Sequence, residues 1–358
     1  MRSIRLYRWI FATILLLSSS GVIVKAQEVY SQIVGAIAID LPAASDIVLS
    51  FPFKQSAQYR GMIESVSDDG TVHIVVAADS LTSGAFDANS DVATHYVVIE
   101  SGTQMGTHVE IGSNTGSQIS LSEGSATGLQ NGDEIAVYPH WTLGSAFPNG
   151  VANHEETEPG LREIEVIVPE GTAPEGNMIP EEVFFFSDGA WRGVGYGYSN
   201  LDSMVLEPNR AFVIRNNNAS DAKKALFFGE VIDAPIAITL TESDVYSADN
   251  FVGLNRPLGI AIKDLGLTLG GVFEETTDTN NKKDMLLVYS SGSGKNKHMS
   301  PAGSYYYFNG AWRELATGDA TDKGSDVIDP GMGIAIRKFK VDSNPQDSSW
   351  VNQWELPQ

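Results

Sequence analysis

Two short segments of this sequence each place a tryptophan and an arginine side by side after a run of aromatic residues. Residues 184–192 read FFFSDGAWR, and residues 305–313 read YYYFNGAWR. An indole face can stack on a sugar ring, and a guanidinium group can hydrogen-bond sugar hydroxyls. The alternative interpretation is that the tryptophans belong to a hydrophobic core and the arginines pair with nearby carboxylates. The candidate ligand-binding residues are Trp191, Arg192, Trp312 and Arg313.

A second candidate site is the acidic segment Asp87-Ala88-Asn89-Ser90-Asp91, which has the D-x-N-x-D start of a calcium loop. Side-chain oxygens at alternate positions suit a hard cation. The remainder of the motif is different, because Val92 stands where the turn glycine belongs and Val98 replaces the bidentate glutamate. Two interpretations stay open: calcium bound by Asp87, Asn89 and Asp91, or a solvated acidic loop. No other cofactor is indicated.

Signatures of catalysis are missing from the sequence. The six histidines form no H-E-x-x-H pair and no H-x-H pair, so zinc lacks support. There is also no G-x-S-x-G elbow for a serine nucleophile. The two carboxylic acids of a glycosidase leave no sequence signature in an acidic chain. We therefore predict a non-enzymatic protein, with a secreted glycan hydrolase as an alternative.

The two aromatic segments predict β-hairpins. In each, a run of aromatic residues enters Asp188-Gly189 or Asn309-Gly310, and a Trp-Arg pair follows. These dipeptides readily adopt the positive φ angles of a two-residue turn. The aromatic runs are apolar on both faces, which is typical of a central strand or of an edge that awaits a partner chain.

These hairpins belong to a longer internal repeat. The matching segments follow the same order in both halves of the chain: 37–41 with 236–240, 46–52 with 250–257, 142–147 with 268–273, 162–167 with 283–288, the two hairpins, 205–208 with 327–330, and 211–215 with 333–337. The first copy contains additional residues 54–140, in which short apolar runs alternate with turn residues. Such spacing is typical of a small barrel or sandwich.

The predicted fold is all-β, because short apolar runs alternate with Gly, Asn, Asp, Ser and Pro and helical periodicity is nearly absent. We expect two duplicated β-sandwich-like units, the first interrupted by an inserted small β-barrel domain. The first unit comprises residues 27–53 plus 141–233, the insertion residues 54–140, and the second unit residues 234–358.

Residues 1–26 predict a secretory signal peptide. Arg2, Arg5 and Arg8 precede an apolar run, and small residues lead to a cleavage site after Ala26. The prediction is an exported protein that is periplasmic, outer-surface or extracellular, without a transmembrane segment after cleavage. The net charge of −22 repels nucleic acid, and the absence of cysteine excludes disulfides.

The chain resembles a family of uncharacterised secreted bacterial proteins found chiefly in Verrucomicrobia. The resemblance covers nearly the whole mature chain and depends on residues 141–144, the paired Gly-Ala-Trp-Arg segments, residues 212–217, and residues 249–252 with 256–257. It implies secretion but brings no established activity. From these observations we predict a secreted or envelope-associated structural or adhesive protein whose partners are extracellular polysaccharide or other envelope proteins. An extracellular polysaccharide-binding module is a further alternative.

Overall fold

Strands set the architecture, because apolar residues recur at every second position or in short continuous runs. A computed structural model describes residues 33–90, 92–158, 160–174, 180–232, 234–290, 294, 300–318 and 320–352. The protein is all-β, as predicted. Helices in these ranges are α1 (Leu143–Ala146) and the 3-10 segments Val151–Asn153, Ile262–Leu265 and Leu269–Gly271. None of the helices in the described ranges has the length and apolar character needed to cross a membrane.

The first sheet contains five antiparallel strands. In spatial order they are β14 (Ala190–Gly193), β13 (Pro180–Ser187), β11 (Ile164–Pro169), β16 (Phe212–Asn216) and β2 (Ser45–Leu49). The second sheet contains six: β23 (Ala311–Glu314), β22 (Gly303–Phe308), β21 (Met285–Val288), β25 (Gly333–Lys338), β19 (Ala248–Gly253) and β12 (Thr172–Pro174). Apart from β12, the two sheets have the same topology: corresponding strands occupy the same places in the chain order and in the spatial order.

Four two-stranded sheets complete the two halves, with two sheets at corresponding places in each half. They are β1 (Val34–Leu41) with β17 (Lys223–Glu230), β18 (Ile236–Leu240) with β26 (Ser348–Asn352), β10 (Trp141–Thr142) with β15 (Val205–Leu206), and β20 (Ile260–Ala261) with β24 (Val327–Ile328). The side chains that face inward from both halves join in one hydrophobic core, which includes Trp191, Trp312 and Trp350.

A seven-stranded half-barrel sheet lies between β2 and β10 in the chain. Its spatial order is β3 (Tyr59–Met62), β9 (Glu134–Pro139), β6 (His95–Ile99), β7 (His108–Asn114), β8 (Gln118–Leu121), β5 (Val72–Val75) and β4 (Ser65–Asp68). It has a separate core around Val97, Ile111 and Ile135. The end strands β3 and β4 are joined directly by Ile63 and Glu64, whose backbone N–H groups donate to the carbonyls of Asp133 at 2.9 Å and Val75 at 2.8 Å. This curved sheet is barrel-like, in agreement with the small β-barrel predicted for this segment.

Both aromatic segments form the predicted hairpins. Asp188 and Gly189 have φ angles of 53° and 66°, and Asn309 and Gly310 have 52° and 74°, as a two-residue turn requires. The pairing register also corrects two sequence matches. Asp46 lies opposite Arg215 and Asp249 lies opposite Arg337, so Asp46 corresponds to Asp249 and the match of 46–52 with 250–257 is shifted by one residue. Phe184 lies opposite Val166 and Tyr305 lies opposite Leu286, so residues 164–168 correspond to 284–288 and the match of 162–167 with 283–288 is wrong. A one-residue shift exchanges the two faces of a strand.

Backbone hydrogen bonds join each half to the sheet of the other. Strand β12 follows β11 of the first sheet but pairs with β19 of the second. In the opposite direction, Gly294 lies beyond β21 of the second sheet, and its carbonyl accepts a hydrogen bond from the backbone of Asp46 in β2 at 3.1 Å. Between the two sheets, Val48, Val213 and Ala335 belong to a shared apolar layer. The sheets therefore pack face to face, as in a β-sandwich.

Candidate functional site

The structure buries both candidate sugar-stacking tryptophans. Trp191 is 1% exposed, and its indole N–H donates to the carbonyl of Phe147 at 2.9 Å. Trp312 is 3% exposed and packs against Phe273 and Tyr307, with ring centroids 5.1 and 5.5 Å away. Neither indole offers a face to a sugar ring. The core interpretation of these residues is therefore the one that fits the structure.

Arg192 and Arg313 do not share a site with their neighbouring tryptophans. Successive side chains of a strand point to opposite faces of the sheet, so each Trp faces the core and each Arg the other side. Nη1 of Arg192 donates to the carbonyl of Tyr198, and Arg313 lies opposite Tyr306 in the hairpin. A joint Trp-Arg platform is thus excluded by strand geometry.

The acidic segment at Asp87 forms a structured turn. One carboxylate oxygen of Asp87 accepts a hydrogen bond from the backbone of Asn114 at 2.8 Å, and Asn89 forms an isolated bridge with Val92. Asp91 lies outside the described residues. Within the described ranges, no group of three or more His, Asp or Glu side chains is placed to hold a metal ion. The Asp87 carboxylate therefore has a structural role, because it accepts a hydrogen bond within this turn.

A groove beside β15 is bordered by glutamates, two of which are the candidate catalytic acids for the hydrolase alternative. The side chains of Glu181 and Glu207 are 53% and 59% exposed, and both pair with Arg210, at 2.7 and 3.1 Å. A general acid of a glycosidase is usually kept protonated by an apolar pocket. These two exposed, Arg-paired carboxylates do not have that environment.

A different surface stands out: one face of the outer strand pair, β1 with β17. Along β17, Ala225 and Phe227 point into the main core, whereas Leu226 and Phe228 are 61% and 60% exposed. On β1, Ala38 and Ala36 lie opposite these two residues and are also exposed, and Val34 is 70% exposed. We call the five exposed residues the apolar face: Val34, Ala36, Ala38, Leu226 and Phe228. Contiguous exposed apolar side chains commonly mark an interaction site.

The corresponding strand pair of the second half, β18 with β26, has a different outer surface. Its exposed positions are Thr239 and Ser349. Ala237 is partly covered by the turn at Gly106 of the half-barrel sheet, and its backbone N–H donates to the Gly106 carbonyl at 3.0 Å. The apolar face is therefore a property of the first half alone and not a general feature of this strand pair.

An ion-pair network fixes one end of the outer strand pair to the half-barrel sheet. Arg60 pairs with Glu100 and with Glu230, the last residue of β17, and also donates to the Tyr138 hydroxyl at 2.7 Å. That hydroxyl donates to Glu100 at 2.9 Å, and burial raises the pKa of Tyr138. The network orients the apolar face relative to the half-barrel sheet.

A narrow cleft of about 40 Å³ lies next to the apolar face, where the half-barrel sheet meets both halves. Trp141 forms part of its wall and contacts Phe228 edge to face, with ring centroids 6.4 Å apart. Among the residues that line the cleft, His140 has its Nε2 2.6 Å from an oxygen of Glu110, and Asn209 Nδ2 lies 3.1 Å from His108 Nδ1. Burial lowers the pKa of His108. The cleft holds only a few water molecules by volume.

Comparison of the chain with protein-family models, with curated proteins and with solved structures finds no match. The resemblance to the secreted verrucomicrobial family therefore stays a prediction. Sequence inspection missed the apolar face, because its five residues come from two strands nearly two hundred positions apart. One available signal was the run Ala225–Phe228, which is apolar on both faces of its strand.

Proposed function

We propose that this is an exported, non-enzymatic structural or adhesive protein that attaches to an apolar surface of another envelope protein. The observation that carries the proposal is the apolar face. Leu226 and Phe228 point away from the core on a strand whose other side is buried, and both are about 60% exposed although Phe228 also contacts the edge of Trp141. The predicted signal peptide and the resemblance to secreted proteins support an extracytoplasmic location.

Apolar contact accounts for the expected affinity. Full burial of a Leu or Phe side chain contributes about 1.5–3 kcal/mol, before the cost of association. The strongly negative chain, with a net charge of −22, repels other acidic surfaces. Attachment through the apolar face should therefore strengthen as salt screens this repulsion. A partner recognised by its charge would show the opposite dependence.

The two alternatives have weaker support. A polysaccharide-binding module would need an exposed aromatic platform, and both tryptophans first considered for that role are buried. At the apolar face the aromatic side chains are the exposed Phe228 and the half-buried Trp141 beside it. A glycan hydrolase would have to use carboxylates such as Glu181 and Glu207, which are exposed and paired with Arg210.

The test compares the mature chain with the double variant Leu226→Ser/Phe228→Ser for binding to an envelope fraction from cells that lack the protein. Val327→Ser is the matched control, because Val327 is 62% exposed at a distant strand. We expect the double variant to lose binding and the control to retain it. Equal binding by all three proteins, or no binding by the wild type, would refute the proposal.

Two additional measurements identify the source of binding. Sedimentation of the purified mature chain at low and high salt shows whether a second copy is the partner. A glycan array with the same protein shows whether polysaccharide binds instead. Glycan binding that is unchanged in the double variant would favour the polysaccharide-binding alternative over the proposal.

A further inference from the structure

A lysine and an aspartate lie in direct contact inside the second half. Lys338 is the last residue of β25, and Asp284 immediately precedes β21, the adjacent strand. Lys338 Nζ lies 2.5 Å from Asp284 Oδ2, and the two side chains are 4% and 1% exposed. A lysine and an aspartate are seldom both this deeply buried. The pair is therefore removed from water almost completely.

The surroundings orient both groups. Lys338 Nζ also donates to the Val272 carbonyl at 2.6 Å. The backbone N–H of Phe339 donates to Asp284 Oδ1 at 2.7 Å, and that of Glu274 to Oδ2 at 2.8 Å. Lys338 Nζ is thus held in contact with Asp284 Oδ2, the oxygen bonded to the carboxyl carbon Cγ. Such fixed contact between two reacting groups can correspond to very high effective concentrations.

A second carboxylate approaches the same nitrogen. Oε1 of Glu242, which follows β18, lies 3.6 Å from Lys338 Nζ, and the Glu242 side chain is 20% exposed. Burial raises the pKa of Asp284 against the opposing effect of Lys338. Burial removes much of the solvation of both charged groups, which raises the free energy of the ion pair relative to the same groups in water.

We propose that Lys338 and Asp284 become joined by an intramolecular amide bond, formed by the folded protein with the help of Glu242. The proton between the two groups first moves from Nζ to the carboxylate, which gives an amine and a carboxylic acid. The Nζ lone pair then attacks Cγ and forms the new N–C bond. Glu242 accepts a proton from this nitrogen and delivers it to the departing hydroxyl. The C–O bond breaks, one water leaves, and no oxidant or other reactant is required.

The first half provides an internal comparison. The strand pairing shows which residues correspond. Arg215 lies opposite Glu165 in the first half, as Arg337 lies opposite Met285 in the second. The next pair along the first-half strands is Asn216 opposite Ile164, so these two residues occupy the places of Lys338 and Asp284. By the match of 37–41 with 236–240, Glu242 corresponds to Ala43. All three reactive groups are absent together from the first half. The fold therefore does not require them, which favours a specific chemical role in the second half.

The cross-link would also suit the composition of the chain. The sequence contains no cysteine, so disulfides cannot brace it outside the cell. An amide between neighbouring strands would close the chain between residues 284 and 338 irreversibly. It would act whether or not the apolar face binds a partner, so its failure leaves the proposed attachment untouched.

The test is the intact mass of the purified mature chain under denaturing conditions. We expect a mass lower than that of the sequence by one water molecule, and a proteolytic digest that contains a branched peptide joining Asp284 to Lys338. A folded wild-type protein with the full sequence mass would refute the proposal and leave a buried ion pair. This outcome depends on no variant, so misfolding of a mutant cannot obscure it.

Three variants locate the chemistry. Lys338→Arg keeps the positive charge but supplies no nucleophilic amine, so its mass should be that of the full sequence. Glu242→Gln should slow bond formation by about 10²-fold, the usual contribution of a general acid–base group. Lys283→Arg is the matched control, because Lys283 is the adjacent lysine and pairs with Glu274 at 3.0 Å. It should still lose water. Full water loss in Lys338→Arg, or its absence in Lys283→Arg, would contradict the assignment.

Discussion

Arg337 binds Asp249 through two parallel hydrogen bonds, from Nε to Oδ1 at 2.6 Å and from Nη2 to Oδ2 at 2.9 Å. The first half contains the same arrangement: Arg215 binds Asp46 with distances of 2.7 and 3.0 Å. In both pairs the carboxylate is almost fully buried, and the two residues lie directly opposite on paired strands. These matched pairs occupy equivalent places in the internal repeat predicted from the sequence.

Removal of one partner should therefore destabilise the protein strongly. Asp249→Ala leaves the charge of Arg337 in a largely buried place, and we expect the free energy of unfolding to fall by about 3–5 kcal/mol. The double variant Asp249→Ala/Arg337→Met should recover much of this loss. Urea unfolding of the wild type, both single variants and the double variant measures the coupling. Additive effects of the single variants would contradict the pairing.

The buried tryptophans should affect stability and not glycan binding. Trp191→Ala is expected to lower the free energy of unfolding by about 3–5 kcal/mol, because it removes a large core side chain. The buried indoles should also be shielded from iodide quenching of fluorescence, unlike the half-buried Trp141. Substitution by Phe should cost less. Unchanged stability in Trp191→Ala would contradict its burial.

Stability should decline in mildly acidic solution. Burial lowers the pKa of both His95 and His108 from the ordinary value of 6.5. Below pH 6.5 the unfolded chain therefore binds protons that the folded chain does not, so stability falls as pH decreases. Each histidine contributes at most about 1.4 kcal/mol per pH unit in this window. Free energies of unfolding between pH 7.5 and 5.5 should show a shallower slope for His108→Gln than for the wild type. Equal slopes would exclude His108 as a contributor.

The proposed amide predicts a specific loss of stability when it cannot form. A covalent link across the loop from residue 284 to residue 338 should contribute about 4 kcal/mol, by analogy with a disulfide that closes a loop of this size. Glu242→Gln chains isolated before linking should unfold at lower urea than linked chains of the same variant. Because both samples have one sequence, any difference reports the bond alone. Identical midpoints would show that the bond adds no stability.

Local features were predictable from the sequence, whereas the sites were not. The turns at Asp188-Gly189 and Asn309-Gly310 depend on adjacent residues, and both hairpins were predicted correctly. The burial of Trp191 and Trp312 could not be predicted, because the strand pattern alone does not show which face of the strand lies against the core. The strand match beside them was shifted by one residue, because short apolar runs align equally well in two registers.

The functional candidates depend on contacts between distant segments. Lys338 and Asp284 follow no motif, and only the pairing of β21 with β25 brings them together. The apolar face likewise needs β1 to lie beside β17. Turn spacing in residues 54–140 predicts short strands, whereas the order of those strands in the half-barrel sheet depends on long-range pairings that turn spacing does not encode.

The pairing of β12 with the sheet of the other half has a consequence for assembly. Strand β12 belongs to one half by connectivity and to the other by hydrogen bonding, and in the opposite direction the Gly294 carbonyl accepts a hydrogen bond from the backbone of Asp46. Two chains that open during folding can form the same pairings with each other's halves. Domain-swapped dimers and open chains of protomers would then preserve every strand pairing of the monomer, so polymerisation would require no additional interface.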